Sequence, residues 1–193
     1  SIKIIGDHTD MNVQAYFQYD SKKSGGVTIS HLRFGHKPIK STYYVTKADF
    51  VACHCPAYIE KYDIVQDIKP GGTFLLNCDW LPEDMENHLP AEVKRYLAKN
   101  RIQFYTCDAI KLARDIGLGD RTNMVLQAAF FKLANVIPID AAVEYMKQAV
   151  VQSYGHKGES IVNMNCEAID AALTSLRKIE VPAAWKTAKD KRA

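Results

Sequence analysis

Pro70-Gly71-Gly72-Thr73-Phe74-Leu75-Leu76-Asn77-Cys78 is the stretch on which the reading of the fold turns. The proline and two glycines bend the chain, and the apolar residues that follow run on without alternation. That is the pattern of a strand buried on both faces, as in a parallel sheet. Upstream, Phe50-Val51-Ala52-Cys53-His54 has the same character, and Pro56 suits the first turn of a short helix over 57–62. Downstream, Pro90 opens a helix over 91–97 with Val93, Tyr96 and Leu97 on one face, and Ile102-Gln103-Phe104-Tyr105-Thr106 reads as a strand. Asp108 caps a helix over 109–114 that Gly117 or Gly119 ends. Strand and helix alternate, which gives an α/β fold: a layered Rossmann-like sheet flanked by helices, with right-handed crossovers.

The flanks are less regular. Asp10 is placed to cap a helix over 11–17, or Ile2 to Ile5 already belong to a helix in progress. Val27 to Phe34 alternate as a half-buried strand, and Ser41-Thr42-Tyr43-Tyr44-Val45 favours an extended form. Met124 to Phe131 form a helix apolar all round, which implies burial against more than one neighbour or against a partner chain. Asp140 is expected to cap the next helix, with Glu144 and Lys147 as a local pair. The polar run Tyr154-Gly155-His156-Lys157-Gly158-Glu159 divides a main domain, 1–154, from a C-terminal linker, 155–193, with a short helix over 167–176 and an extended exit, Val181 to Trp185.

The totals remove several classes of function. A formal net charge of +3, with no basic block interleaved with aromatics, argues against nucleic acid. Five cysteines are an odd set, and Cys53 and Cys55 have no second close pair to complete a four-thiolate metal pattern. No apolar run reaches membrane-spanning length, which points to an intracellular soluble location. Neither G-x-G-x-x-G nor G-x-x-x-x-G-K-S/T occurs, so the glycines supply no complete nucleotide fingerprint.

Chemistry concentrates instead in Lys22-Lys23-Ser24-Gly25-Gly26, just before the strand that begins at Val27. Two cations, a hydroxyl and accessible backbone amides suit a phosphate, and an ordinary charged turn into a surface strand has the same composition. On alternation, His31 and Arg33 share the Val27 side of that strand. Arg33 beside a core face needs a carboxylate, a ligand anion or solvent, and His31 reads as a hydrogen-bonded structural histidine. His54 follows a strand, at the kind of edge where α/β sites lie, yet no serine or carboxylate stands near it in sequence.

Taken in order, Ser21 to Gly35, Ala48 to His54, Gly71 to Asn77, Ile116 to Gly119, Arg121 to Met124, Gln127 to Leu133 and Val181 to Trp185 resemble the gamma-type domain of pyruvate:ferredoxin (flavodoxin) oxidoreductase. The resemblance implies part of an enzyme that converts pyruvate, coenzyme A and oxidised ferredoxin to acetyl-CoA, carbon dioxide and reduced ferredoxin. It makes 1–154 the gamma-type domain and assigns coenzyme A contacts to Lys22, Lys23, Ser24 and Gly25, with Arg33 as a further candidate. Thiamine diphosphate, magnesium and 4Fe-4S clusters belong to other domains of such an enzyme, as do the contacts with ferredoxin or flavodoxin. No catalytic residue and no metal ligand is expected in this chain, and the fragment alone is expected to be inactive. The full-length protein is expected to be a homodimer, without nucleic-acid or membrane partners, in the cytoplasm or in an energy organelle of a eukaryote. A glycine-rich segment usually precedes the point where this sequence starts, so the first sheet strand is expected to be missing. The corresponding domain of a pyruvate:NADP oxidoreductase, and a purely structural interaction domain, are the alternatives.

Overall fold

The computed structural model describes residues 12–19, 27–35, 47–61, 64–119 and 121–189. They belong to two compact units, Val13–Thr106 with Arg177–Ala193, and Ser1–Asn12 with Cys107–Leu176.

The first unit is built on a six-stranded sheet whose spatial order follows the sequence: β1 (Asn12–Tyr19), β2 (Val27–Gly35), β3 (Ala48–Cys53), β4 (Ile68–Asn77), β5 (Gln103–Cys107) and β6 (Arg177–Ile179). β3 and β4 are parallel, with Val51 opposite Phe74 and Cys53 opposite Leu76. Their residues Phe50 to Cys53 and Phe74 to Asn77 are buried on both faces, as an unbroken apolar pattern requires. β2 joins β3 antiparallel, with Ile29 opposite Cys53, and β6 joins β5 antiparallel, with Phe104 opposite Ile179. The expected layered α/β arrangement is present with a mixed sheet. The connection from β3 to β4 passes through the short helix α1 (Tyr58–Lys61), and β4 leads to α2 (Met85–His88) and α3 (Ala91–Lys99).

The core packs Val51, Phe74, Leu76 and Phe104 with Ile59, Ile64, Met85, Val93, Leu97 and Trp185. Phe74 and Phe104 stack with ring centroids 5.5 Å apart. Polar anchors fix α3 to the sheet and to the exit segment. The Tyr96 hydroxyl donates to the Ile68 carbonyl at 2.6 Å, and the Arg95 guanidinium donates to the Ala188 carbonyl at 2.6 Å. Arg101 closes α3 in a left-handed conformation, φ 53°, while the Ile102 amide reaches back to the Leu97 carbonyl. Glycine is the usual residue at that position, and an L side chain there costs about 1 kcal/mol.

The second unit is helical: α4 (Ala109–Ile116), α5 (Asn123–Ala134), α6 (Ile139–Tyr154) and α7 (Glu159–Ser175). The Asp108 carboxylate accepts from the Lys111 amide at 3.1 Å, so the expected cap is in place, and Gly117 ends α4 at φ 104°. α5 buries Val125, Leu126, Ala128, Ala129, Phe130 and Phe131. Its neighbours within the unit are α4, α6 and α7. Lys132 donates to the Leu173 carbonyl, and Lys147 pairs with Asp170 at 3.0 Å.

Several local expectations are corrected. Residues 12–19 form a strand rather than the helix expected over 11–17, and the alternation of Val13, Ala15 and Phe17 with Asn12, Gln14 and Tyr16 accounts for it. Pro70-Gly71-Gly72 is no turn before β4 but a bulge within it. Ala48 and Phe50 face Ile68 and Thr73, so three extra residues of β4 are looped out. α6 starts at Ile139, which places Asp140 in its first turn instead of at the cap, and Lys147 bonds Asp170 rather than Glu144. α7 is 17 residues long rather than short. Its buried Asn165 donates to the Ile161 carbonyl at 2.9 Å, so the polar side chain is satisfied inside the helix. The exit ends in a 3-10 turn, Ala183–Thr187. The strand expected over 41–45 lies outside the described residues.

The bulge yields a test. A Cβ on Gly72 would sit 2.7 Å from Ile68 Cγ2 and 2.9 Å from the Lys69 carbonyl oxygen, whereas one on Gly155 would meet nothing within 4 Å. Gly72→Ala is expected to destabilise by roughly 1–3 kcal/mol, and Gly155→Ala to be neutral within about 0.5 kcal/mol. Denaturant unfolding of the two variants checks the difference.

Candidate functional site: the carboxyl edge of the parallel pair

β3 and β4 run the same way, so the chain leaves both at one edge of the sheet, through Cys53-His54-Cys55-Pro56 and through Asn77-Cys78-Asp79-Trp80. The carboxyl ends of parallel strands are where ligands bind in open α/β sheets, because the chain turns away there and leaves a crevice. β2 meets this edge by its first residues, since Ile29 pairs with Cys53 and the strand runs antiparallel to β3.

The edge is held by side chains distant in sequence. Ser30 Oγ lies 3.0 Å from His54 Nε2, and the Asn77 amide donates to the His54 carbonyl at 3.1 Å. One histidine thus ties β2, β3 and β4 together just past the strand ends. Its sequence neighbours hold no serine; the partner stands 24 residues away and is delivered by the β2–β3 register. Burial pushes the His54 imidazole below its ordinary pKa, so at neutral pH it is uncharged and shares a single hydrogen bond with the serine hydroxyl.

The thiols at this edge are of a structural kind. Cys53 is buried, its Sγ donates to the Cys55 carbonyl at 3.0 Å, and burial first of all pushes its pKa up to about 12. At neutral pH it is a thiol and no nucleophile. Cys78 is also buried in the core, and Cys55 packs against it from a half-buried position. Among the described residues no group of three or more His, Cys, Asp or Glu side chains is arranged to hold a metal ion. Beyond β4, the Trp80 indole stacks on the His88 imidazole, 4.3 Å between centroids with the ring planes nearly parallel. This flat pair stiffens the loop that leaves the edge.

Of the residues singled out from the sequence, Lys22, Lys23, Ser24 and Gly25 lie outside the described residues. Arg33 is half-buried in β2, six residues beyond Val27 and hence about 20 Å along an extended strand from its start. By continuation of the register it stands level with Asp49, at the amino end of β3. His31 is 2% exposed. Its Nδ1 lies 3.9 Å from the Asp67 carboxylate, and burial lowers its pKa against the raising effect of that neighbour. Of the residues described, sequence reasoning singles out His54 but misses its partners Ser30 and Asn77, which reach it only through strand register.

The two histidines make the sheet unit sensitive to acid. Each is held neutral in the fold and binds a proton in the unfolded chain below about pH 6.5. Stability is therefore constant above that pH and falls as the pH drops through 6.5 toward the lower folded values. Site-resolved histidine hydrogen-deuterium exchange by mass spectrometry is expected to place both midpoints below 6.5; a midpoint at or above 6.5 for His54 would contradict the buried pairing with Ser30.

Comparison with known proteins gives a consistent picture. The family model described as pyruvate ferredoxin/flavodoxin oxidoreductase matches residues 2–175. Pyruvate:ferredoxin oxidoreductase of Moorella thermoacetica is 56% identical over 193 residues, all of this chain and 16% of that protein. The chain thus spans about a sixth of that relative's length. Among solved structures, the gamma subunit of a keto/oxoacid ferredoxin oxidoreductase from Geobacter sulfurreducens superposes with a TM-score of 0.56 at 17% identity, covering 91% of this chain and 87% of that one. A 2-oxoglutarate:ferredoxin oxidoreductase from Magnetococcus marinus, solved with 2-oxoglutarate, coenzyme A and succinyl-CoA bound, gives a TM-score of 0.55 at 19% identity over 84% of this chain and 25% of that one. At these identities the two structures speak for the fold.

Proposed function

Since the chain belongs to the pyruvate ferredoxin/flavodoxin oxidoreductase family, we propose that it is the gamma-type domain of an enzyme that forms acetyl-CoA and carbon dioxide from pyruvate and coenzyme A, with ferredoxin or flavodoxin as electron acceptor. Its part is to hold the phosphate end of coenzyme A. Lys22 and Lys23 neutralise phosphate charge, Ser24 donates a hydroxyl, and Gly25 lets the backbone approach an oxygen closely. Arg33, at the far end of β2, supplies a more distant positive charge.

The observation that carries this reading is one of connectivity. The Lys22 to Gly25 run ends two residues before Val27, and β2 begins beside the carboxyl ends of β3 and β4. A phosphate-suited run is therefore covalently attached to the edge of the sheet where α/β folds take ligands. Coenzyme A bound to the 2-oxoglutarate enzyme with the same fold supports the same choice of ligand.

The residues at this edge bind and orient rather than react. Ser30, His54 and Asn77 fix the backbone that the loop leaves, and the raised Cys53 pKa keeps a competing thiolate away from an acyl-transfer reaction. The reading places thiamine diphosphate with magnesium, and the 4Fe-4S clusters, in other domains of the full-length protein. Thiamine diphosphate supplies carbanion stabilisation and the clusters carry electrons. Full-length homodimerisation and docking of the electron carrier fall to those domains, in the cytoplasm or an energy organelle. Among the described residues no helix is long and apolar enough to cross a membrane.

The test is coenzyme A affinity in the full-length enzyme. Losing two charge-assisted contacts of about 1 kcal/mol each weakens binding roughly thirtyfold. Lys22→Ala/Lys23→Ala is expected to raise the KM for coenzyme A by that factor with the KM for pyruvate unchanged, and Arg33→Ala to have a smaller effect. An unaltered affinity for coenzyme A in the double variant would overturn the assignment.

A further inference from the structure

A second feature of the sheet unit lies away from the ligand edge. A cleft of about 580 Å³ opens where the end of α3, the start of β5 and the segment after β6 meet. Its accessible apolar wall comes from Val181, Pro182 and Ala183 over a floor of buried core, and its rim carries Arg101, Lys178 and Lys186 against a single acid, Glu180. None of the three cations has an ion-pair or hydrogen-bond partner among the described residues, although Arg95, Lys47, Lys69 and Lys94 in the same unit do.

Arg101 is the informative member. Its left-handed backbone, φ 53°, suits glycine, yet the position holds the longest cationic side chain at the mouth of the cleft. Backbone economy does not explain the choice, whereas a role for the guanidinium does. An apolar wall under a cationic rim fits an occupant with carboxylates flanking apolar side chains.

We infer that the cleft is a docking groove for an acidic segment of polypeptide from elsewhere in the full-length protein. Charge complementarity sets the chemistry, since three cations against one acid leave an excess of positive charge. Length sets the source. This chain spans 16% of the Moorella thermoacetica relative, and a tethered segment reaches a groove on its own chain at far higher effective concentration than a separate molecule does. Arg101 and Lys178 bind carboxylates at the rim, and the segment's apolar side chains cover Pro182 and Ala183. The groove thereby seats this domain in the larger protein, independently of the coenzyme A reading.

Zero-length carbodiimide coupling of the full-length protein, followed by mass spectrometry, tests this. Lys178 or Lys186 is expected to form an amide link to an Asp or Glu outside residues 1–193, within one polypeptide. Arg101→Gly, which suits the backbone and removes the charge, is expected to lower that yield severalfold without lowering thermal stability. Reaction of both lysines with a water-soluble acylating reagent as fast as Lys111, whose side chain is 73% exposed, would overturn the inference. So would protection of both lysines without a link to any acidic residue, which assigns the cleft to another occupant.

Discussion

The parallel pairing of β3 with β4 is the constraint on which the rest depends. Two short apolar strands, buried on both faces, must point the same way, and Cys53 opposite Leu76 fixes where both end. Everything proposed for ligand binding follows from that shared end. β2 arrives there because it is antiparallel to β3, and the bulge at Pro70 to Gly72 absorbs three extra residues without moving the register that sets the edge. Had the pair been antiparallel, His54 and Asn77 would stand at opposite sides of the sheet.

The buried polar groups at this edge are neutral and satisfied rather than charged and reactive. His54 is kept uncharged by burial and tied to Ser30, and Cys53 is kept protonated. Such a framework lends itself to positioning, because its hydrogen bonds cost little to keep and hold three strands in register. It is poorly suited to nucleophilic chemistry. A domain that holds a substrate's remote end while reaction proceeds elsewhere has this profile.

Much of this was legible in the sequence. Phe50 to Cys53 and Phe74 to Leu76 announce buried strands by composition alone, and Asp108 and Gly117 mark both ends of α4. The first strand was not legible, because Asp10 stands where a helix cap would and a seven-residue window fits both periods. α7 was read short, over 167–176, because the polar run Tyr154 to Glu159 has the composition of a linker, whereas the helix already starts at Glu159. At the carboxyl edge, His54 was legible as a polar residue just past a strand, but its partners were not. Ser30 and His54 are 24 residues apart and meet only through the pairing of Ile29 with Cys53. Long-range register is information that local pattern does not carry.

Backbone hydrogen-deuterium exchange of the full-length protein, with and without coenzyme A, addresses the central claim most directly. The carboxyl edge of β3 and β4 as the ligand edge predicts slower exchange on binding in peptides covering Val27 to His31, His54 to Tyr58 and Asn77 to Trp80. Unchanged exchange in those three segments, with protection instead around Asp49 and Lys69 at the opposite ends of the strands, would contradict it.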